Sequence, residues 1–106
     1  MIYRFMRIIV FFDLPSVTKT DHAEYRHFIR NLKAIGFAEF QESVYTKLCL
    51  NEQVSNATLR DIIRFLPRDG VVSSLTITEK HFSSIKLLLG DIRTDVVLND
   101  SKVIKL

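Results

Sequence analysis

The stretch Arg7-Ile8-Ile9-Val10-Phe11-Phe12-Asp13-Leu14-Pro15 constrains the fold of this chain more than any other. Its five uncharged, bulky residues are too few for a membrane span or a secretion signal. They have the composition of a buried strand, and Asp-Leu-Pro closes it with a turn. Strand alternation sends Ile8, Val10, Phe12 and Leu14 to one face and Phe5, Ile9 and Phe11 to the other. Both faces of the sheet are therefore apolar, while a layer of helices covers one of them. Something else has to cover the second face, and the simplest candidate is another copy of the chain packed sheet to sheet, a homodimer.

The remaining pattern supplies the partners of that strand. Thr18 with Asp21 three residues on forms a capping box, after which Tyr25, Phe28, Ile29, Leu32 and Ile35 recur at helical spacing until Gly36. Residues 37–50 hold two β-rich stretches around a polar break at Gln41 to Ser43, the pattern of a hairpin or a sharply bulged strand. Asn51 or Ser55 caps a second helix that turns Leu59, Ile62, Ile63 and Leu66 inward, and Pro67 and Asp69-Gly70 close it. Val71 to Thr78 alternates as a strand, and Lys102-Val103-Ile104-Lys105-Leu106 reads as an additional C-terminal edge strand. The order predicts an α+β, ferredoxin-like βαββαβ domain over residues 1–106, an antiparallel sheet with two helices on one face.

Several function classes lose their usual support. No phosphate-cradling GxxxxGK[ST] or GxGxxG turn and no GxSxG elbow occurs. One cysteine, Cys49, makes no internal disulfide, and with His22, His27 and His81 it offers no zinc-type spacing. The composition suits a cytoplasmic protein with no membrane association. A ligand-sensing regulatory module remains open as an alternative on this fold, although no Gly-rich ligand loop is present.

Two features carry possible chemistry. Asp13 ends the apolar run on the face shared by Ile9 and Phe11, at the margin of the expected dimer contact. Two copies of that carboxylate near a two-fold axis repel, and Mg²⁺, which takes oxygen ligands and retains waters, relieves the repulsion and can activate water for phosphodiester hydrolysis. Asp is equally at home as the first residue of an Asp-Leu-Pro turn. The second feature is a basic stripe, Lys19, His22, Arg26, Arg30 and Lys33, at helical spacing away from the apolar stripe, repeated by Arg60, Arg64 and Arg68 in the second helix. The formal charge of +3 permits a polyanionic partner without requiring one. One-signed stripes suit the phosphate backbone of a duplex, and they also serve as ordinary solvated faces.

The strand ending Phe12-Asp13-Leu14-Pro15, the basic amphipathic helix, Gly36-Phe37 and then Gln41-Glu42-Ser43-Val44-Tyr45 together resemble the CRISPR-associated "Cas two" family of small adaptation proteins. Thr76-Ile77-Thr78-Glu79-Lys80-His81-Phe82 and Leu48 to Asn51 resemble its branch from type II systems. The resemblance implies a ferredoxin-like homodimer whose C-terminal strand, here Val103 to Leu106, pairs with the other protomer's sheet. It implies an adaptor that sits between dimers of the CRISPR integrase and holds a short DNA duplex during spacer acquisition. It also implies, for some members, Mg²⁺-dependent endonuclease activity on RNA or duplex DNA, with Asp13 as catalytic residue and metal ligand. On this reading Arg26, Arg30, Lys33, Arg60 and Arg64 are the expected phosphate partners. The chain departs from the pattern at Phe12, where many members have Tyr, and at Glu39, where basic residues are frequent. Both reduce phosphate contact near Asp13 and leave the adaptor role untouched.

Overall fold

The computed structural model describes residues 5–91. Its elements are β1 (Met6–Asp13), α1 (Lys19–Ala34), β2 (Ala38–Gln41), β3 (Val44–Cys49), α2 (Glu52–Ile63), β4 (Val71–Thr78) and a single helical turn, α3 (Glu79–Phe82). The strands form one antiparallel sheet in the order β2-β3-β1-β4. This is the expected α+β, ferredoxin-like arrangement with α1 and α2 on one face. The expected C-terminal strand at Lys102 to Leu106 lies outside the described residues. No helix among the described residues is long and apolar enough to cross a membrane.

Local chemistry accounts for the helix ends. At Thr18 the side-chain oxygen accepts from the Asp21 amide at 3.0 Å, and the Asp21 carboxylate accepts from the Thr18 amide at 3.0 Å, so the box is reciprocal. Those bonds hold the Asp21 carboxyl below its usual range, the Thr18 amide contributing most. At the far end Gly36 adopts φ +104° while Phe37 N–H reaches Leu32 O and Gly36 N–H reaches Lys33 O, both at 3.0 Å. This pattern satisfies the last carbonyls and stops the helix. Of the two candidate caps for α2, Asn51 is the one used, accepting from Val54 N–H at 2.9 Å. Ser55 is buried instead and donates to Glu52 O.

Residues 37–50 form a hairpin whose first strand is also bulged, with a register shift between Glu39 and Gln41 and Ser43 at φ +62° in the turn. Between helices and sheet, Ile8, Val10, Phe12, Phe28, Leu32, Phe37, Tyr45, Cys49 and Ile62 make the main core. The Phe12 ring lies edge-on to Phe28 at 5.3 Å and to Tyr25 at 6.2 Å, centroid to centroid.

Two expectations are corrected. Ile63 and Leu66 do not turn inward; they are 65% and 45% exposed. Ile63 is still helical and lies outside the buried stripe of Ser55, Thr58 and Ile62; beyond it, tighter bonds from Arg64 N–H to Asp61 O and from Phe65 N–H to Ile62 O shift the phase of the chain and turn Leu66 outward. Phe65 then takes the inward place, 5.8 Å from the Phe28 ring. The second correction concerns the face opposite the helices, which is partly covered by the chain itself. After β4, α3 folds back and buries Phe82 completely against Ile9 and Phe40. Arg7, whose side chain emerges on that face, gives two hydrogen bonds to the Glu79 carboxylate at 2.8 and 2.5 Å, and its guanidinium carbon stands 4.3 Å from the Phe82 ring centre.

Candidate nucleic-acid interface

Asp13 is the last residue of β1 and is exposed. Three features hold its backbone. It pairs with Val71 in the β1–β4 ladder, while the preceding Phe12 N–H donates to Ser43 O at 3.1 Å, so the strand end is gripped from both sides. The third is Gly70, at φ +103°, which lies so close that a Cβ there would stand 2.6 Å from Asp13 O and 2.9 Å from Leu14 Cδ2. Only a residue without a side chain permits this approach at that φ.

Beyond Asp13 an open cleft runs between the end of β1, the first turns of α1 and the β2–β3 turn. It is lined by Asp13, Leu14, Ser16, His22, Tyr25, Arg26, Glu42 and Ser43. The structure thus brings two of the predicted site residues, Asp13 and Arg26, to one cleft. His22 Nε2 is 2.9 Å from Ser16 O, a bond that ties the helix start to the loop after Asp13. The Tyr25 hydroxyl is pushed up from its usual range, chiefly by burial and then by the charges of Glu39 and Glu42. It therefore stays protonated and able to donate at neutral pH.

Arg30 and Lys33 continue from Arg26 along the exposed face of α1, one and two turns further from Asp13. No ion pair engages Arg26, Arg30 or Lys33 among the described residues. Arg60 on α2 and Arg64 at its C-terminal cap are exposed, and Arg64 makes a surface pair with Asp61 at 3.4 Å, of the kind that contributes little. The structure therefore assembles Asp13 and Arg26, and leaves the α2 arginines on a separate helix.

Sequence reasoning gave no role to His22, Tyr25 or Glu42 near Asp13. Glu42 and His22 meet in this cleft because β2–β3 folds back beside α1, and no short-range spacing announces that. Among the described residues no group of three or more His, Cys, Asp or Glu side chains is placed to hold a metal ion. In a single chain Asp13 supplies one carboxylate, which by itself is short of a metal site; a second copy would supply another, a donor set that Mg²⁺ accepts together with waters.

Residues 6–85, from the first residue of β1 to just past α3, match the family model described as "CRISPR associated protein Cas2". A protein from Ligilactobacillus salivarius is 44% identical over 85 residues, 80% of this chain and 84% of that one. One from Treponema denticola is 36% identical over 101 residues, 95% of this chain and 100% of that one. One from Streptococcus mutans serotype c is 36% identical over 99 residues, 93% and 91% of the two chains. All three carry the name CRISPR-associated endoribonuclease Cas2. The match runs through every element just described, including the strand that ends at Asp13 and the helix that carries Arg26, and the chain belongs to the CRISPR-associated Cas2 family.

Proposed function

We propose that the chain acts in CRISPR adaptation as a homodimer that holds a short DNA duplex through its phosphates and bridges integrase subunits, and that Asp13 supports Mg²⁺-dependent cleavage of phosphodiester bonds in RNA or DNA. An intracellular site of action follows from that role. The observation that carries this reading is the cleft lined by both Asp13 and Arg26, the latter continuing along α1 into Arg30 and Lys33, none of the three in an ion pair among the described residues. The endoribonuclease names of the relatives agree with the cleavage half of the proposal.

The residues divide the work by charge. Arg26 binds a phosphate next to the Asp13 carboxylate, while Arg30 and Lys33, with Arg60 and Arg64 on α2, hold the backbone without reading bases. Mg²⁺ bound by Asp13 from each of two copies would polarise a phosphoryl oxygen and supply an activated water. The chain's own part is to fix the carboxylate, through the strand pairing and the Gly70 contact, at the mouth of the cleft.

Labelled RNA and short duplex DNA, incubated with the wild type, Asp13→Ala and Arg26→Ala/Arg30→Ala, with Mg²⁺ or with chelator, test both halves. Asp13→Ala and chelator are expected to abolish cutting and leave the gel shift. The double arginine variant is expected to weaken binding to unrelated duplexes alike and to lower the salt slope by about 0.9 per phosphate contact removed. Cutting by Asp13→Ala at the wild-type rate overturns the cleavage assignment, and unchanged affinity in the arginine variant takes α1 out of the duplex surface.

A further inference from the structure

Tyr25 stands where the apolar and basic faces of α1 meet. Its ring packs on the core, edge-on to Phe12 at 6.2 Å between centroids, and Phe12 directly precedes Asp13. The ring is thereby fixed relative to the strand end. The carboxylates that bear on its hydroxyl are Glu39 and Glu42, and Glu42 lines the Asp13 cleft. The hydroxyl therefore opens toward that cleft rather than toward the smaller hollow that Tyr25 shares with Pro15 and Pro67. Tyrosine hydroxyls at the edge of a core usually find a hydrogen-bond partner. This one has none among the described residues, where no buried side-chain oxygen lacks a partner, so it reaches solvent.

Resting on the reading of this cleft as a phosphodiester site, we propose that Tyr25 is a substrate-contacting residue whose hydroxyl donates a hydrogen bond to a non-bridging oxygen of the phosphate that Arg26 binds. Arg26 is the next residue along α1, exposed and in no ion pair among the described residues, so a cation and a neutral donor adjoin on one wall of the cleft. Such a pair suits an anionic oxygen. The guanidinium supplies charge, and the hydroxyl supplies a bond of set direction because its ring is held in the core. The other groups of the cleft are less suited to that part. His22 has its Nε2 on Ser16 O, Asp13 and Glu42 are acceptors, and the Ser16 and Ser43 hydroxyls lie on turns. Burial and the two glutamates keep the phenol protonated, so Tyr25 lends a hydrogen bond and keeps its proton. The cleft, about 390 Å³, is in the range of sites that take small ligands, and it admits one phosphate with its sugar.

Tyr25→Phe removes the hydroxyl and leaves the ring against Phe12, so its circular dichroism and unfolding midpoint are expected to match the wild type. The contact is read by NMR on protein labelled in its tyrosine rings and arginine side chains, titrated without metal with a dinucleoside monophosphate and with its uncharged methylphosphonate analogue. The chain has three tyrosines, and Tyr25→Phe identifies the signal that matters; Arg26→Lys does the same for Arg26. The Tyr25 and Arg26 signals are expected to move with the phosphodiester and to stay with the methylphosphonate. In the cleavage assay Tyr25→Phe is expected to lower kcat/KM by about 10- to 100-fold, the effect of one hydrogen bond to a charged group. An Arg26 signal that stays still overturns the phosphate reading of the cleft itself. An Arg26 signal that moves while Tyr25 stays, a Tyr25 signal that moves equally with both compounds, or an unchanged kcat/KM in Tyr25→Phe leaves that reading standing and overturns the role of Tyr25.

Discussion

Replacing Glu79 by Gln removes one charge and almost no volume from the contact that holds α3 to β1. The Arg7 side chain is 9% exposed and the Glu79 side chain 15%, so the pair is largely out of water. Breaking a buried pair from one side costs about 3–5 kcal/mol because the remaining charge is stranded. Two features lower that figure here: Gln still accepts one of the two hydrogen bonds, and Arg7 keeps the face of the Phe82 ring at 4.3 Å. A charge-assisted hydrogen bond contributes about 1.5–3 kcal/mol, which puts the expected loss for Glu79→Gln at about 2–3 kcal/mol. Arg7→Met combined with Glu79→Leu removes both charges and keeps the bulk, so the double variant is expected within about 1 kcal/mol of the wild type. The chain has no tryptophan, so urea unfolding followed by circular dichroism is the assay, at one fixed protein concentration since association would shift the midpoint. High salt is expected to change the difference little, since burial shields the pair from screening ions. A Glu79→Gln loss below about 0.5 kcal/mol, with no coupling between Arg7→Met and Glu79→Leu when each is also measured singly, would refute the argument that this pair holds α3 in place.

Gly70→Ala is expected to cost about 1–3 kcal/mol, because the new Cβ meets the Asp13 carbonyl at a φ that L residues avoid; Gly90→Ala, with open space around it, is expected to cost less, and chemical unfolding compares the two. In an NMR titration Asp21 is expected to protonate below the usual carboxylate range, even in Thr18→Ala, since the largest cause is the Thr18 backbone amide rather than its hydroxyl. Because that folded value is depressed, the stability Asp21 contributes is present above the unfolded carboxyl range and is lost as pH falls through the folded value. Burial pushes the Cys49 thiol up, so a thiol reagent is expected to modify it only as fast as the protein opens, and rapid labelling of the folded protein would place the thiol at the surface. With the folded value raised, the contribution of Cys49 is complete below the unfolded thiol value and declines as pH rises through the folded one, which an unfolding series from neutral pH into the thiol range measures.

What the sequence determined by itself is whatever depends on near neighbours. Thr18 and Asp21 are three residues apart, Gly36 follows the helix it ends, and Asn51 precedes the helix it caps, so each signal and its effect fall within one turn of chain. The alternation through Ile8 to Phe12 likewise showed that both faces of the sheet needed cover and put Asp13 at a strand end. The basic stripe of α1 was legible as spacing, and its exposure followed from the apolar stripe opposite. Tertiary structure decided what covers which face. The Arg7–Glu79 pair spans 72 positions, and no local pattern marks Glu79 as its partner or Phe82 as the cover of Ile9. Periodicity carried Leu66 into the core because it assumes a helix that continues; the chain turns after Ile63, and Phe65 fills the place, while Ile63 itself lies outside the stripe of Ser55, Thr58 and Ile62 that the helix buries. The cleft that joins Asp13 to Arg26, His22 and Glu42 has the same origin, since it exists only where three separate segments are brought together by a core that none of them contains alone.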